Sequence, residues 1–144
     1  MSRIEQAVRM FEQEFSCSQS VFSAYADPAD LPRDAALRVA AGFGGGLART
    51  GETCGAVTGA IMALGLRHCG APAADPLAKQ EAYPPVREFL ARFRARHGSI
   101  VCRELLGCDL GTPEGLQSAR DQGLFKSRCP GFVRTAGEIL EDLL

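Results

Sequence analysis

The residues best suited to chemistry are six cysteines, Cys17, Cys54, Cys69, Cys102, Cys108 and Cys129. A thiolate is both a nucleophile and a soft metal ligand, so gathered cysteines point to thiol-disulfide exchange or to zinc and iron-sulfur binding. No two of the six form a C-x-x-C pair, which removes both the knuckles of structural zinc sites and the thioredoxin-type motif. Any shared site must therefore be assembled from separate segments of the chain. Cys102 and Cys108 are near enough in sequence to pair across a short loop. The other reactive side chains offer less. His68 and His97 fall near predicted helix ends, where histidine hydrogen-bonds terminal carbonyls, although His68 beside Cys69 is also a ligand candidate. Glu52 is placed to accept from helix-start amides, and no Ser-His-Asp or paired-carboxylate arrangement is present.

The elements that must position these sulfurs read as helices nearly throughout, because apolar residues recur at three and four spacing and strict alternation is rare. Ile4, Val8, Phe11 and Phe15 make one face of a first helix, ending near Phe15. Ser16 with Gln19 has the form of a capping box and starts a second helix, with Cys17 in its first turn. Arg33 to Phe43 forms a third, stopped by the glycines of "GFGGG". That run lacks the G-K-[ST] of a phosphate loop and a preceding strand, so it reads as a turn allowing close approach of another backbone or a cofactor.

Thr53 is placed to cap the next helix, in which Gly55, Gly59 and Ala63 make a small-residue stripe. Val57, Ile61, Met62, Leu64 and Leu66 cover its other sides, which marks it as the central buried helix. Gly51 sets the turn before it. Asp75 to Tyr83 has helical character interrupted by Pro84 and Pro85. Val86 to His97 is amphipathic, with Phe89, Leu90 and Phe93 inward and Arg87, Arg92, Arg94 and Arg96 outward, a solvated face or a docking surface for an acidic partner. Ser99 is placed to cap "IVCRELL". Residues 108 to 126 read as loop and short turns, and a last helix runs from about Pro130 to Leu143. The expected architecture is all-α, a single domain over residues 1–144, with five to seven helices around the glycine-striped one.

Composition limits the partners. Sixteen basic against seventeen acidic residues leave a net charge of -1, so no field favours nucleic acid or an anionic membrane. The N-terminal sequence lacks the apolar segment of a secretory signal. The apolar run from Cys54 to Leu66 falls short of the ~20 residues a spanning helix needs. No membrane insertion and a cytoplasmic location are expected. In a reducing cytosol, six cysteines point to metal or redox chemistry rather than a disulfide framework.

On this map Cys17, Cys54, Cys102 and Cys129 each fall at a cap or in a first turn, whereas Cys69 and Cys108 follow helix ends. A helix N-terminus favours the thiolate, which makes the first four the candidates for ligation or reactivity. Four thiolates brought together repel, so they must keep protons, form disulfides or hold a cation.

"FSCSQSV", "GFGGGLARTGETCGAVTGAIMALGL", "GSIVCRELLG" and "RCPGFVRTAGEIL", in that order, resemble the C_GCAxxG_C_C family of redox-active proteins over nearly the whole chain. The family is named for its cysteine pattern, whose core stands here as "CGAVTG". The resemblance implies that Cys17, Cys54, Cys102 and Cys129 take its four cysteine positions. Related domains are joined to redox modules, including a multihaem cytochrome with an iron-sulfur centre. The absence of C-x-x-C-H here argues against a covalent c-type haem.

Three functions follow. In the first, the four cysteines hold a metal centre, an iron-sulfur cluster or alternatively zinc, with Gly51, Gly55 and Gly59 leaving room for the cofactor. The chain is then an oxidoreductase or electron-transfer component with a redox partner protein, and a homo-oligomer is compatible with it. In the second, Cys54 and Cys17 cycle between dithiol and disulfide. In the third, metal or simple packing stabilises a helical protein-interaction module.

Overall fold

The computed structural model describes residues 1–144 as an all-α protein. Seven helices have eight residues or more: α1 (Arg3–Glu12), α2 (Cys17–Tyr25), α3 (Arg33–Ala40), α4 (Gly55–His68), α6 (Tyr83–His97), α8 (Pro113–Asp121) and α10 (Cys129–Leu143). Shorter turns of helix fill the gaps, namely α5 (Pro76–Gln80), α7 (Cys102–Leu106), α9 (Leu124–Ser127) and a 3-10 turn at Ala41–Phe43. No helix is long and apolar enough to cross a membrane.

The glycine-striped helix is central. In α4, Ala56, Val57, Ala60, Ala63 and Leu64 are buried, and the helix packs against α2, α6 and α10. The stripe is where α2 lies down. A Cβ on Gly59 would stand 2.8 Å from the Ser18 carbonyl oxygen, and one on Gly55 would stand 2.9 Å from the Ser18 nitrogen. Only residues without a side chain let two backbones come this close. Ser18 Oγ then donates to the Ala40 carbonyl at 2.9 Å and Gln19 Nε2 to the Leu37 carbonyl at 3.1 Å, which fastens α2 to α3.

On the opposite side Phe89 and Phe93 of α6 are fully buried, next to Val133, Ala136 and Leu140 of α10. Half of the arginine face of α6 is committed to α10. Arg92 Nη1 pairs with Asp142 at 2.9 Å and Arg96 Nη1 with Glu138 at 2.6 Å. Exposed pairs of this kind add little stability, but they take two of the four arginines away from an acidic partner.

Several boundaries differ from the sequence expectation. α1 stops at Glu12, and Glu14 turns the chain with a φ of +75°, leaving Phe15 outside the helix. The N-cap of α4 is Cys54 rather than Thr53, and that of α7 is Val101 rather than Ser99. Pro84 and Pro85 do not break a helix; they sit in the first turn of α6, where a missing N–H costs nothing. Residues 108–126 are not mainly loop. Thr112 Oγ1 accepts from the Gly115 N–H at 3.0 Å and Pro113 occupies the first turn of α8, a start signal masked by a short helix whose buried face is little more than Ala119.

Candidate functional site

The four helix-start cysteines come from four helices, and each arrives by a separate local device. The Ser16–Gln19 capping box forms as expected and opens α2 at Cys17. The glycine stripe then sets Cys17 against α4, so that a Cβ on Gly55 would lie 3.1 Å from the Cys17 Cβ.

Cys54 and Cys102 are joined by an element the helical pattern did not announce. Thr53 and Val101 form an antiparallel β-bridge. The Cys54 N–H donates to the Ile100 carbonyl at 2.7 Å, and the Cys102 N–H donates to the Glu52 carbonyl at 2.6 Å. The two cysteines therefore leave the bridge together, one into α4 and the other into α7. Cys129 enters at the start of α10, where Pro130 suits the first turn.

All four side chains line one half-open cavity of about 710 Å³. Its inner wall also carries Leu105, Leu106, Leu110 and Phe132, and its rim carries Glu12, Glu14, Arg49 and Lys126. Cys54, Cys102 and Cys129 are 4 %, 7 % and 6 % exposed, while Cys17 is half-buried. All six cysteines are free thiols, and no three His, Cys, Asp or Glu side chains are grouped as ligands of one metal ion. The four cysteines share this cavity without forming a mononuclear ligand set.

The thiol electrostatics reverse a simple helix-start argument. Burial pushes Cys54 up to about 11, although the N–H groups of Ala56 and Val57 face its sulfur and oppose the shift. No capping hydrogen bond closes there, so desolvation outweighs the helix end. Cys102 is pushed up to about 12 by burial and by the neighbouring Cys54 and Cys129. Interaction with Cys129, together with burial, holds Cys17 well above the ordinary thiol value, and interaction with Cys17 holds Cys129 below it. Repulsion from the other thiolates adds to the rise at Cys17.

The remaining candidates lie elsewhere. Cys108 sits against α8, donating to Ser118 Oγ and accepting from Gln122 Nε2, each at 3.7 Å, and does not pair with Cys102. Cys69 donates to the Gly70 carbonyl at 3.5 Å. His68 Nε2 meets the Leu143 carbonyl at 2.6 Å, and His97 Nε2 meets Thr135 Oγ1 at 2.8 Å. Glu52 pairs with Arg103 at 3.0 Å.

Of the three glycines expected to leave room, Gly55 lines the cavity. Gly51, at a φ of +74°, packs on Asp109 and Arg103, and Gly59 packs on α2. Gly44, Gly45 and Gly46 stand on the cavity wall, with Arg49 and Lys126 near its rim. The glycine run signalled close approach but not what it approaches, and nothing in the spacing marked the two cations.

The sequence model of the family described as "Putative redox-active protein (C_GCAxxG_C_C)" matches residues 15–143. No curated protein and no solved structure matches the chain.

Proposed function

Because the chain belongs to the C_GCAxxG_C_C family, whose sequence model spans residues 15–143, we propose that it is an electron carrier or oxidoreductase component in which Cys17, Cys54, Cys102 and Cys129 ligate an iron-sulfur cluster. The supporting observation is that these four side chains, from four different helices, line a single cavity. The donor set is all sulfur, which suits iron-sulfur clusters and zinc. A lone zinc ion needs four sulfurs each about 2.3 Å from one point, and the ligands are not grouped that way. A polynuclear centre takes ligands spread around its own body, which suits four cysteines from separate helices lining one cavity. When bound, the cluster supplies one-electron transfer.

The chain's own groups prepare the site. Cys54 and Cys102 come as a pair fixed by the bridge at Thr53 and Val101. Leu105, Leu106 and Phe132 keep water from the inner side. The N–H groups of Ala56 and Val57 favour negative charge on the Cys54 sulfur. A reducing compartment such as the cytoplasm is the setting that keeps six free thiols available. Anaerobic purification followed by iron, zinc and acid-labile sulfide analysis tests the proposal. Iron and sulfide together are expected, with both lost in Cys54→Ser and retained in Cys69→Ser. A colourless, metal-free protein overturns it.

A second reading is supported by Cys17 and Cys129 lining the same cavity with opposite shifts in their thiol pKa values. In this reading Cys17 and Cys129 cycle between dithiol and disulfide, with Cys129 in the place of the expected Cys54. The Cys129 thiolate would attack a disulfide substrate and release one thiol; the Cys17 thiolate would then attack the mixed disulfide and release the second. The chain ends with a Cys17–Cys129 disulfide, and the substrate has gained two electrons and two protons. Reversible loss of two thiols in metal-free protein, abolished by Cys129→Ser, is its signature.

A further inference from the structure

Two consecutive glycines on the cavity wall, Gly45 and Gly46, carry backbone N–H groups that meet no acceptor. Gly45, Gly46, Leu47, Ala48 and Arg49 all adopt left-handed φ values, from +50° to +71°. The carbonyls of Gly44, Gly45 and Gly46 accept from the N–H groups of Arg49, Gly51 and Glu52 at 3.0, 3.2 and 2.9 Å. In a helical turn N–H and C=O point opposite ways along the axis, so the first N–H groups emerge at its open end. Those of Gly45 and Gly46 find no backbone partner there, whereas the Gly44 N–H is turned toward the Ala41 carbonyl by the preceding 3-10 turn. Gly46 is buried, and a buried N–H left unpaired costs about as much as a lost hydrogen bond.

Ligand-type side chains share the cavity. Cys54, Cys102 and Cys129, each more than nine-tenths buried, line it with these glycines. The glycines cannot readily be anything else. A Cβ on Gly46 would lie 2.6 Å from the Glu52 nitrogen and 2.7 Å from the Cys102 Cβ, and one on Gly45 would lie 2.6 Å from the Arg49 Cγ. Successive backbone N–H groups in turns of this kind form concavities that hold anions, including those of iron-sulfur sites.

We propose that the N–H groups of Gly45 and Gly46 receive the inorganic sulfide of the cluster, while the four thiolates take its iron. The assignment rests on the iron-sulfur reading of the site. It gives the left-handed turn a purpose: donors to the sulfur stabilise the more negative, reduced form and so raise the reduction potential.

The test is hydrogen exchange of the segment around residues 42–50, read by mass spectrometry, in the metal-free protein, after loading with iron and sulfide, and after loading with cadmium alone. The N–H groups of Leu47, Ala48 and Arg49 are already bonded to carbonyls of Phe43, Gly42 and Gly44 and serve as the internal reference. Two additional amides should slow by roughly tenfold or more on loading with iron and sulfide, the size expected for charge-assisted bonds. They should remain fast with cadmium, which engages thiolates without supplying sulfide. The iron–sulfide stretching bands should also shift on transfer to D2O. A protein that takes up iron and sulfide but leaves these amides fast overturns the assignment and spares the iron-sulfur reading. Equal protection by cadmium overturns it too, by making solvent exclusion the cause. Failure to take up iron and sulfide overturns both.

Discussion

Sulfur ligands are useful only if they can shed their protons, and the buried thiols of this chain resist doing so. The high positions of Cys54 and Cys102, at about 11 and 12, come first from desolvation. The placement of each cysteine at a helix start was legible from capping residues and glycine breaks. Its consequence was not, because a helix end worth a few tenths to about 1 kcal/mol in water loses to the cost of burying a charge.

The same balance acts on His97, whose pKa is lowered by burial and by Arg96. A histidine with a depressed folded-state pKa binds its proton more readily when unfolded, so its contribution to stability is present above about pH 6.5 and is lost as pH falls through the lower folded value. Chemical denaturation of the native chain should therefore show stability falling below pH 6.5, and His97→Gln, which can still hydrogen-bond Thr135, should flatten that slope. An unchanged slope contradicts this account of His97.

Among the elements, α4 was the most legible and the loop before it the least. Gly55, Gly59 and Ala63 at four-residue spacing marked a face for close approach, and α2 occupies it at Gly55 and Gly59. Gly59→Ala should drive the Ser18 backbone away, destabilise the fold by about 1–3 kcal/mol and shift Cys17 from its partners. Lower iron uptake at a temperature where circular dichroism still reports a folded protein is the expected readout; unchanged uptake contradicts the packing argument.

The two-residue bridge at Thr53 and Val101 was invisible in a pattern read for helices, because a single pair leaves no alternation to detect. The left-handed turn was half visible. Its glycines were evident, but Leu47, Ala48 and Arg49 also take positive φ, at a cost of about 1–2 kcal/mol each for residues with a Cβ. Ala48→Gly should accordingly raise stability by up to about 1 kcal/mol in denaturant melts. A loss of stability there would mean that the conformation is not strained.

For the whole molecule, the all-α class followed from the dominance of three and four spacing, and the seven principal helices fall within the expected number. Missed were the short elements, α8 above all, because a helix with so narrow a buried face has little periodicity to read. We propose that residues 1–144 form one cooperative domain, since α1 packs on α10 and the cysteines come from both halves of the chain. A single coincident unfolding transition by fluorescence and circular dichroism is expected; two separated transitions contradict it.

The four-sulfur centre is the claim on which the rest depends, and iron K-edge X-ray absorption of the anaerobically purified protein tests it most directly. The account predicts a first shell of sulfur alone with an iron neighbour beyond it. A first shell of nitrogen or oxygen, or iron without an iron neighbour, would contradict it.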